Sequence, residues 1–332
     1  MTSSAASLAS TDPPSAGLRT GSPDFGGGGA GGIGLERAAT GERVRNNRWV
    51  DLHLWPGRPL AGGGPLWAAL CGLIASGGLK LDASVVLTAG FALFLAGPLW
   101  GAVWHAVAMA DWFTPFSATE WSLSAPWVTL LPYTEPDSPA GRLAAGLGQA
   151  RAWWRERFWP HHGLAGVELI VVLPLSLGVA WVIRRPAVVL TVAVWALATL
   201  ACLVDRGAGR PSTELQAIVE GGLPWLLGHA VLSELTWPSA ALAVAFALSY
   251  GAALAMTDGR HRSLPWLISG QVGASVILVL KGHVLLAALA VLLLLPQLYL
   301  QAYLYRDGSA RWYLRRVQPF VMTIMVLAAF AF

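Results

Sequence analysis

Long apolar runs separated by short polar segments dominate the chain from Pro65 onward. Each run is about 15 to 25 residues long, enough for a helix to cross a hydrocarbon layer roughly 30 Å thick. The runs lack the alternation of apolar and polar residues that a membrane β-barrel requires. The pattern predicts an all-α, polytopic membrane protein with about nine transmembrane helices, at about 64–79, 83–109, 163–183, 186–204, 214–232, 237–256, 264–280, 282–304 and 316–332.

Residues 1–45 differ from the rest of the chain, because they consist mainly of Ser, Thr, Pro, Ala and Gly. Such a composition cannot bury a core, so we expect a disordered tail. The glycine run Gly26–Gly34 is not preceded by a strand pattern, which makes a nucleotide-binding loop a weak alternative. The tail also lacks the apolar core of a signal peptide, so the first apolar run is expected to direct membrane insertion.

Composition supports the membrane prediction. Hydrophobic residues make up 55% of the 332 residues and charged residues 12%, with a mean hydropathy of +0.56. Soluble domains carry about 25% charged residues, so this class is excluded. Cys71 and Cys202 both fall inside predicted spans, where they are expected to be small buried apolar residues rather than a disulfide.

The basic residues are distributed unevenly between the two sides of the predicted helices. If the N-terminus is cytoplasmic, 18 of the 22 Lys and Arg residues lie in cytoplasmic segments and four lie in outer turns. The positive-inside rule favours this orientation. The net charge of +4 is spread between spans rather than clustered, so the lipid bilayer is the expected partner and nucleic acid is not.

The longest segment between spans, residues 110–162, is then cytoplasmic and joins the second and third helices. It contains Asp111, at the end of a long apolar run, and the Arg- and Trp-rich segment Ala150–Pro160. Long loops in compact proteins tend to carry function. Arginines combined with aromatic residues are typical of a segment at the membrane surface, and we predict this role for Ala150–Pro160. Binding of a substrate is the alternative.

Several phrases, taken in order, are similar to one family of membrane enzymes. They are PLWAALCGLIASG (Pro65–Gly77), AGPLWG (Ala96–Gly101), DWF (Asp111–Phe113), EPDSPAGR (Glu135–Arg142), EGGLPWLLGHAVLSELTWP (Glu220–Pro238), YGAALAMTD (Tyr250–Asp258), RSLP (Arg262–Pro265), QLYLQAYL (Gln297–Leu304), RWY (Arg311–Tyr313) and AFAF (Ala329–Phe332). On these phrases, residues 59–332 resemble the UbiA superfamily of intramembrane prenyltransferases, in its chlorophyll and bacteriochlorophyll synthase branch. The resemblance implies a nine-helix bundle whose active site opens between two cytoplasmic loops.

The resemblance also implies the chemistry of that site. Those enzymes carry aspartate-rich motifs after the second and sixth spans, whose paired carboxylates hold Mg²⁺ on a prenyl diphosphate. Here Pro115 stands four positions after Asp111, and Arg262 stands four positions after Asp258, so each motif retains a single carboxylate. Asp111 and Asp258 are the remaining candidates for catalysis and Mg²⁺ binding, and Arg262 is a candidate substrate contact. The alternative is that both aspartates are interfacial caps or partners of arginines.

Further candidates lie inside or near the spans, where ionisable side chains are costly and usually functional or hydrogen-bonded. A neutral His229 can serve as the axial ligand of a chlorin magnesium, with Trp225 one turn earlier as a flat surface, and His105 is a second candidate. Glu220 precedes two glycines and a proline, which can break a helix and open a wall toward a ligand. The alternative for each histidine is a hydrogen bond to a neighbouring helix.

Two functions are open at this point. In the first, the chain is a divergent (bacterio)chlorophyll synthase-like protein with degenerate motifs. It binds a tetrapyrrole, an isoprenoid or both, with a (bacterio)chlorophyll or its precursor as bound cofactor, and serves a photosynthetic complex or its assembly factors. In the second, it is a genuine polyprenyltransferase that uses Mg²⁺ to esterify a chlorophyllide-type acid with a prenyl diphosphate. Loss of the carboxylate pairs favours the first function, and the family resemblance favours the second.

Overall fold

The computed structural model of the chain describes residues 64–80, 82–110, 112, 138–204, 212–307 and 309–332. The chain divides into Met1–Arg48 and Trp49–Phe332, and all described residues belong to the second unit. The tail predicted at 1–45 and the candidate Asp111 lie outside the described residues. Within them, the fold is all-helical, as the apolar pattern predicts.

Nine helices follow one another along the described residues, at or close to the nine predicted apolar runs. They are α1 (Gly64–Ala75), α2 (Ala83–Met109), α3 (Pro139–Trp153, continuing through Trp154–Phe158 and Trp159–Ile183), α4 (Arg185–Val204), α5 (Thr213–Leu232), α6 (Trp237–Thr257), α7 (Leu264–Leu280), α8 (Val284–Asp307) and α9 (Ala310–Ala329). A short 3₁₀ turn, His261–Ser263, joins α6 to α7.

Among the described residues, six helical regions are long and apolar enough to cross a membrane: Ala83–Met109, Ala165–Ile183, Arg185–Val204, Thr213–Leu232, Trp237–Thr257 and Val284–Arg306. The helices α1 and α7 are apolar but shorter, at 12 and 17 residues. Large apolar side chains face outward on the long helices, for example Ile170 and Trp181, 74% and 76% exposed. Such a surface requires lipid, so the chain is an integral membrane protein. Nine crossings remain a prediction.

The helix α3 begins well before the span predicted from the sequence. Ser138 caps its first turn, where the side-chain oxygen accepts a hydrogen bond from the Gly141 N–H at 3.0 Å. Pro139 follows, in the one turn where the missing N–H of proline costs nothing. The segment Ala150–Pro160 is therefore helical and continuous with the third apolar run. Its location at the membrane surface stays a prediction.

Prolines accompany three of the four π-helical turns in the described helices. These turns are Leu95–Leu99, which contains Pro98, Trp154–Phe158, which precedes Pro160, and Ile218–Gly222, which precedes Pro224. Proline lacks an N–H and clashes with the carbonyl four residues earlier, so the helix widens locally. The helix α5 consequently continues through the glycines and the proline that the sequence suggested as a break.

Glycines set the closest contacts between helices. On α1, a Cβ at Gly72 would overlap the backbone carbonyl of Trp225. On α5, a Cβ at Gly228 would overlap the backbone carbonyl of Ala69. The helices α6 and α7 meet in the same way at Gly270. Because lipid supplies no hydrophobic force between helices, small residues that let backbones approach closely are a main source of association.

Buried amides join α7 to α8. Gln271 of α7 and Gln297 of α8 have no exposed surface and exchange two hydrogen bonds, of 3.0 and 2.7 Å. Each amide also donates to a backbone carbonyl four residues earlier, at Leu267 and Leu293. The hydroxyl of Tyr313 on α9 donates to the backbone carbonyl of Gln297 at 3.3 Å. The network is well satisfied, which indicates a structural role.

Candidate apolar binding pocket

An apolar pocket lies at the end of the bundle where α1 begins and α6 ends, which we call the Gly64 end. Residues of α1, α5, α6, α7 and α9 line it, among them Trp67, Ala68, Phe246, Tyr250, Ala253 and Met322. Its cavity volume is about 60 Å³ and it is partly open to the outside of the bundle. At 10–15 Å³ for each water, this volume accepts roughly four to six water-sized groups. The pocket therefore has room for about one branched five-carbon unit.

A carboxylate contacts the wall of this pocket through Tyr250. Glu220, in the π-helical turn of α5, accepts a hydrogen bond from the Tyr250 hydroxyl at 2.7 Å and another from the Gln216 amide at 2.9 Å. The Tyr250 ring in turn closes on two glycines of the lining. A Cβ at Gly64 would lie 2.9 Å from its Cε2 atom, and a Cβ at Gly221 would lie 3.3 Å from its Cβ atom. Because both glycines lack a side chain, Tyr250 can lie close to the backbones of α1 and α5 at the pocket wall.

The other polar groups of the pocket are mostly engaged with the protein itself. The Ser249 hydroxyl donates to the Leu267 carbonyl at 3.2 Å, and the Trp67 indole N–H donates to the Met322 carbonyl at 3.3 Å. The Gln318 amide has a weaker partner, since its Nε2 donates to the Met322 sulfur at 3.8 Å. Gln318 is thus the polar side chain of the lining best placed to exchange its partner for a ligand.

Trp225 and His229 occupy the core rather than the pocket. Trp225 has no exposed surface, donates its indole N–H to the Ser239 hydroxyl at 3.2 Å and packs on Phe246 with ring centroids 4.9 Å apart. It therefore supports a pocket residue from behind. His229 is 4% exposed and meets the Phe332 ring edge-on at 6.3 Å, at the other end of α5.

The His229 imidazole is in an unusual state for a buried polar group. The backbone groups of Ala75 and Glu234 face the ring. Among the described residues, however, neither ring nitrogen makes a hydrogen bond of ordinary geometry. Because Ala75 belongs to α1, the expected contact with a neighbouring helix is present only as this looser approach of a backbone group, and the surrounding protein leaves 4% of the residue exposed.

The remaining predicted site residues lie at helix ends. His105 begins the last π-helical turn of α2, Asp258 follows α6, and Arg262 is part of the 3₁₀ turn; all three are exposed. Asp111 lies outside the described residues. Its neighbour Trp112 donates its indole N–H to the Ala106 carbonyl at 3.0 Å and stacks on His162 at 5.2 Å.

The described carboxylates offer little to a magnesium ion. Within the described ranges, no group of three or more His, Cys, Asp and Glu side chains is arranged to hold a metal. Arg262 stands four positions after Asp258 in the sequence, a cation where a second carboxylate would be needed. Binding of Mg²⁺ would therefore depend on Asp111, which lies outside the described residues.

Tyr250, Gln318 and the glutamine pair were missed in the sequence. The two buried glutamines carried a signal that could have been used, because a primary amide within an apolar helix needs a partner. Gln271 and Gln297 both lie in such helices. The pairing of Tyr250 with Glu220 carried none, because 30 residues separate them and only the packing of α5 on α6 brings them together.

Comparison with known proteins leaves the family untested. No protein-family model matches the chain, and no curated protein and no solved structure is significantly similar to it.

Proposed function

We propose that this chain is a UbiA-type membrane protein of nine transmembrane helices, with a cytoplasmic N-terminus, that binds the apolar chain of an isoprenoid without transferring it. The pocket at the Gly64 end supports this proposal most directly. Its lining is almost entirely apolar, and its size suits a branched five-carbon unit. The opening lets the rest of the chain continue outside the bundle.

The size of the pocket favours an isoprenoid over a tetrapyrrole as the group held inside. A cavity that accepts roughly four to six water-sized groups has no room for the flat macrocycle of a tetrapyrrole. The prenyl tail of a (bacterio)chlorophyll can enter the pocket as well as a free isoprenoid can, and the tetrapyrrole ring then stays outside. The proposal therefore includes a prenylated pigment held by its tail, and with it a role beside a photosynthetic complex or its assembly factors.

One observation favours catalysis as a second candidate function. Asp258 lies on the same side of the bundle as the pocket, about two helical turns after Tyr250. Together with Asp111 it could hold Mg²⁺ on a prenyl diphosphate whose chain occupies the pocket. Arg262, four positions after Asp258 in the sequence, replaces the second carboxylate of the motif and argues against this arrangement.

Photolabelling tests binding. The full chain in lipid nanodiscs is exposed to a geranylgeranyl chain bearing a terminal diazirine, and the labelled residues are mapped by mass spectrometry. We expect labels on Trp67 and Met322, and a severalfold loss in Ala253→Leu, which fills the pocket. Ala288→Leu is the matched control, because Ala288 is exposed on α8. A straight-chain fatty acid bearing a diazirine is used for comparison. If the isoprenoid probe labels the same residues as this fatty acid, binding in the pocket is refuted.

A turnover assay separates the two candidates. The purified protein is incubated with chlorophyllide or bacteriochlorophyllide, geranylgeranyl diphosphate and Mg²⁺, and the esterified pigment is measured by chromatography. We expect no ester. An ester that forms with the wild type and disappears in Asp111→Ala and Asp258→Ala would establish the prenyltransferase instead.

A further inference from the structure

The first turns of α9 have one buried face and one exposed face. Ala310, Tyr313, Leu314 and Val317 are buried. The residues between them lie on the opposite face and are exposed: Arg311, Trp312, Arg315 and Arg316. The helix therefore begins as an amphipathic segment whose outer face is basic and aromatic.

Aromatic rings join this face to the last turns of α8. Tyr299 and Tyr303 meet edge-to-face with ring centroids 5.8 Å apart, and their hydroxyl oxygens are 3.3 Å apart. The Tyr303 ring lies 6.1 Å from the Trp312 ring, and the Arg316 guanidinium lies 5.7 Å from the Trp312 ring centroid. We call the α8–α9 surface the exposed set formed by Tyr299, Tyr303, Arg311, Trp312, Arg315 and Arg316.

The charge of this part of the chain suits a phosphate group. Residues 283–332 contain four arginines, Arg306, Arg311, Arg315 and Arg316, and a single acid, Asp307. Because Arg311 and Arg315 are four positions apart in one helix, their Cβ atoms lie about 5–6 Å apart on one face. Both guanidinium groups can then reach one phosphate, a group that arginine binds through paired N–H donors.

The surroundings of the surface indicate that a lipid carries this phosphate. The helix α8 is one of the six regions long and apolar enough to cross a membrane, and α9 is almost entirely apolar from Phe320 onward. Tyr and Trp between an apolar helix and arginines are typical of the headgroup region of a bilayer. There, each arginine strengthens binding to an anionic membrane surface about fivefold.

We propose that the α8–α9 surface binds the headgroup of an anionic phospholipid. Arg311 and Arg315 contact the phosphate, and the Tyr303 and Trp312 rings pack beside the glycerol backbone. The site is separate from the proposed isoprenoid site, because no residue of the surface lines the pocket. The proposal therefore stands or falls independently of isoprenoid binding.

Photolabelling with two matched lipids tests the choice of headgroup. The full chain in phosphatidylcholine nanodiscs receives a trace of phosphatidylglycerol or phosphatidylcholine, each with a diazirine near the carboxyl end of one acyl chain. Mass spectrometry then maps the labelled residues. We expect labels on Tyr303 and Trp312 to be about fivefold stronger or more with phosphatidylglycerol, and to weaken as salt is added. Equal labelling by the two lipids would overturn the proposal.

A soluble phosphate distinguishes a lipid site from a general anion site. Glycerol 3-phosphate has the phosphate of the lipid but no acyl chains. In millimolar excess, we expect it to leave the phosphatidylglycerol labels on Tyr303 and Trp312 unchanged. Loss of these labels would identify a soluble phosphate ester as the ligand and overturn the lipid as its source.

Paired substitutions test the role of the arginines. Arg311→Gln with Arg315→Gln should remove most of the preference for phosphatidylglycerol, whereas Arg311→Lys with Arg315→Lys keeps the charge and should retain most of it. The matched control is Arg184→Gln with Arg185→Gln, an equal change of charge at exposed residues between α3 and α4. Elution profile and unfolding temperature check the fold of each variant. A preference that survives in the first pair, or falls equally in the control pair, would refute binding by Arg311 and Arg315.

Discussion

Along its length, α1 passes from direct backbone contact with a neighbouring helix to the wall of a pocket. Near the middle, Gly72 and Gly228 let the backbones of α1 and α5 touch, and no space remains between them. At the Gly64 end, Gly64 and Gly221 also lack side chains, but the helices border a pocket closed on one side by Tyr250. Glycine therefore allows direct backbone contact where backbone lies opposite, at Gly72 and Gly228. It borders a pocket where a side chain lies opposite, at Gly64 and Gly221.

The largest effect is expected where a glycine faces backbone. Gly228→Ala places a Cβ against the Ala69 carbonyl, which cannot move without separating α1 from α5, so we expect a loss of about 3 kcal/mol in the free energy of unfolding. The free energy is measured in detergent by chemical or thermal unfolding. Gly178→Ala is the control, because its Cβ would meet nothing within 4 Å. Equal unfolding temperatures for the two variants would contradict the close contact.

A smaller loss is expected where polar bonds rather than backbone contact join the helices. Gln271→Leu leaves the amide of Gln297 buried without its partner, which should cost roughly 1–2 kcal/mol. The double variant Gln271→Leu with Gln297→Leu removes both amides, and we expect it to recover most of that loss. Unfolding of the single and double variants measures the difference. A double variant as unstable as the sum of the singles would mean that the amide pair is not the relevant interaction.

The smallest effect on stability, and the clearest on binding, is expected at the pocket. Gly64→Ala places a Cβ 2.9 Å from the Tyr250 ring, which is a side chain and can shift, so the unfolding free energy should change by less than about 1 kcal/mol. Because the added carbon enters the pocket, photolabelling by the isoprenoid probe should fall severalfold. Gly90→Ala, whose Cβ meets nothing within 4 Å, is the control for both measurements. If Gly64→Ala is labelled as strongly as the control, Gly64 is not part of the binding site.

The sequence predicted the helical segments better than the candidate site. Helix positions followed from apolar length, and α2 and α7 match their predicted ranges at both ends. The start of α3 was missed, because its first turns are much less apolar than the predicted spans and begin at the cap formed by Ser138. Of the candidate residues, Glu220 contacts the pocket wall through Tyr250, whereas Trp225 and His229 are enclosed in the core.

By itself, the sequence determined that this protein is helical and lies in a membrane, because an apolar segment in lipid must satisfy its backbone hydrogen bonds within its own helix. This requirement is local, so composition and run length are sufficient to recognise it. Only the tertiary structure decided that Gly72 closes a contact while Gly64 borders a pocket, and that Glu220 meets Tyr250. These outcomes depend on which faces of distant helices pack together, and apolar helices with little amphipathic pattern do not encode that choice in any single segment.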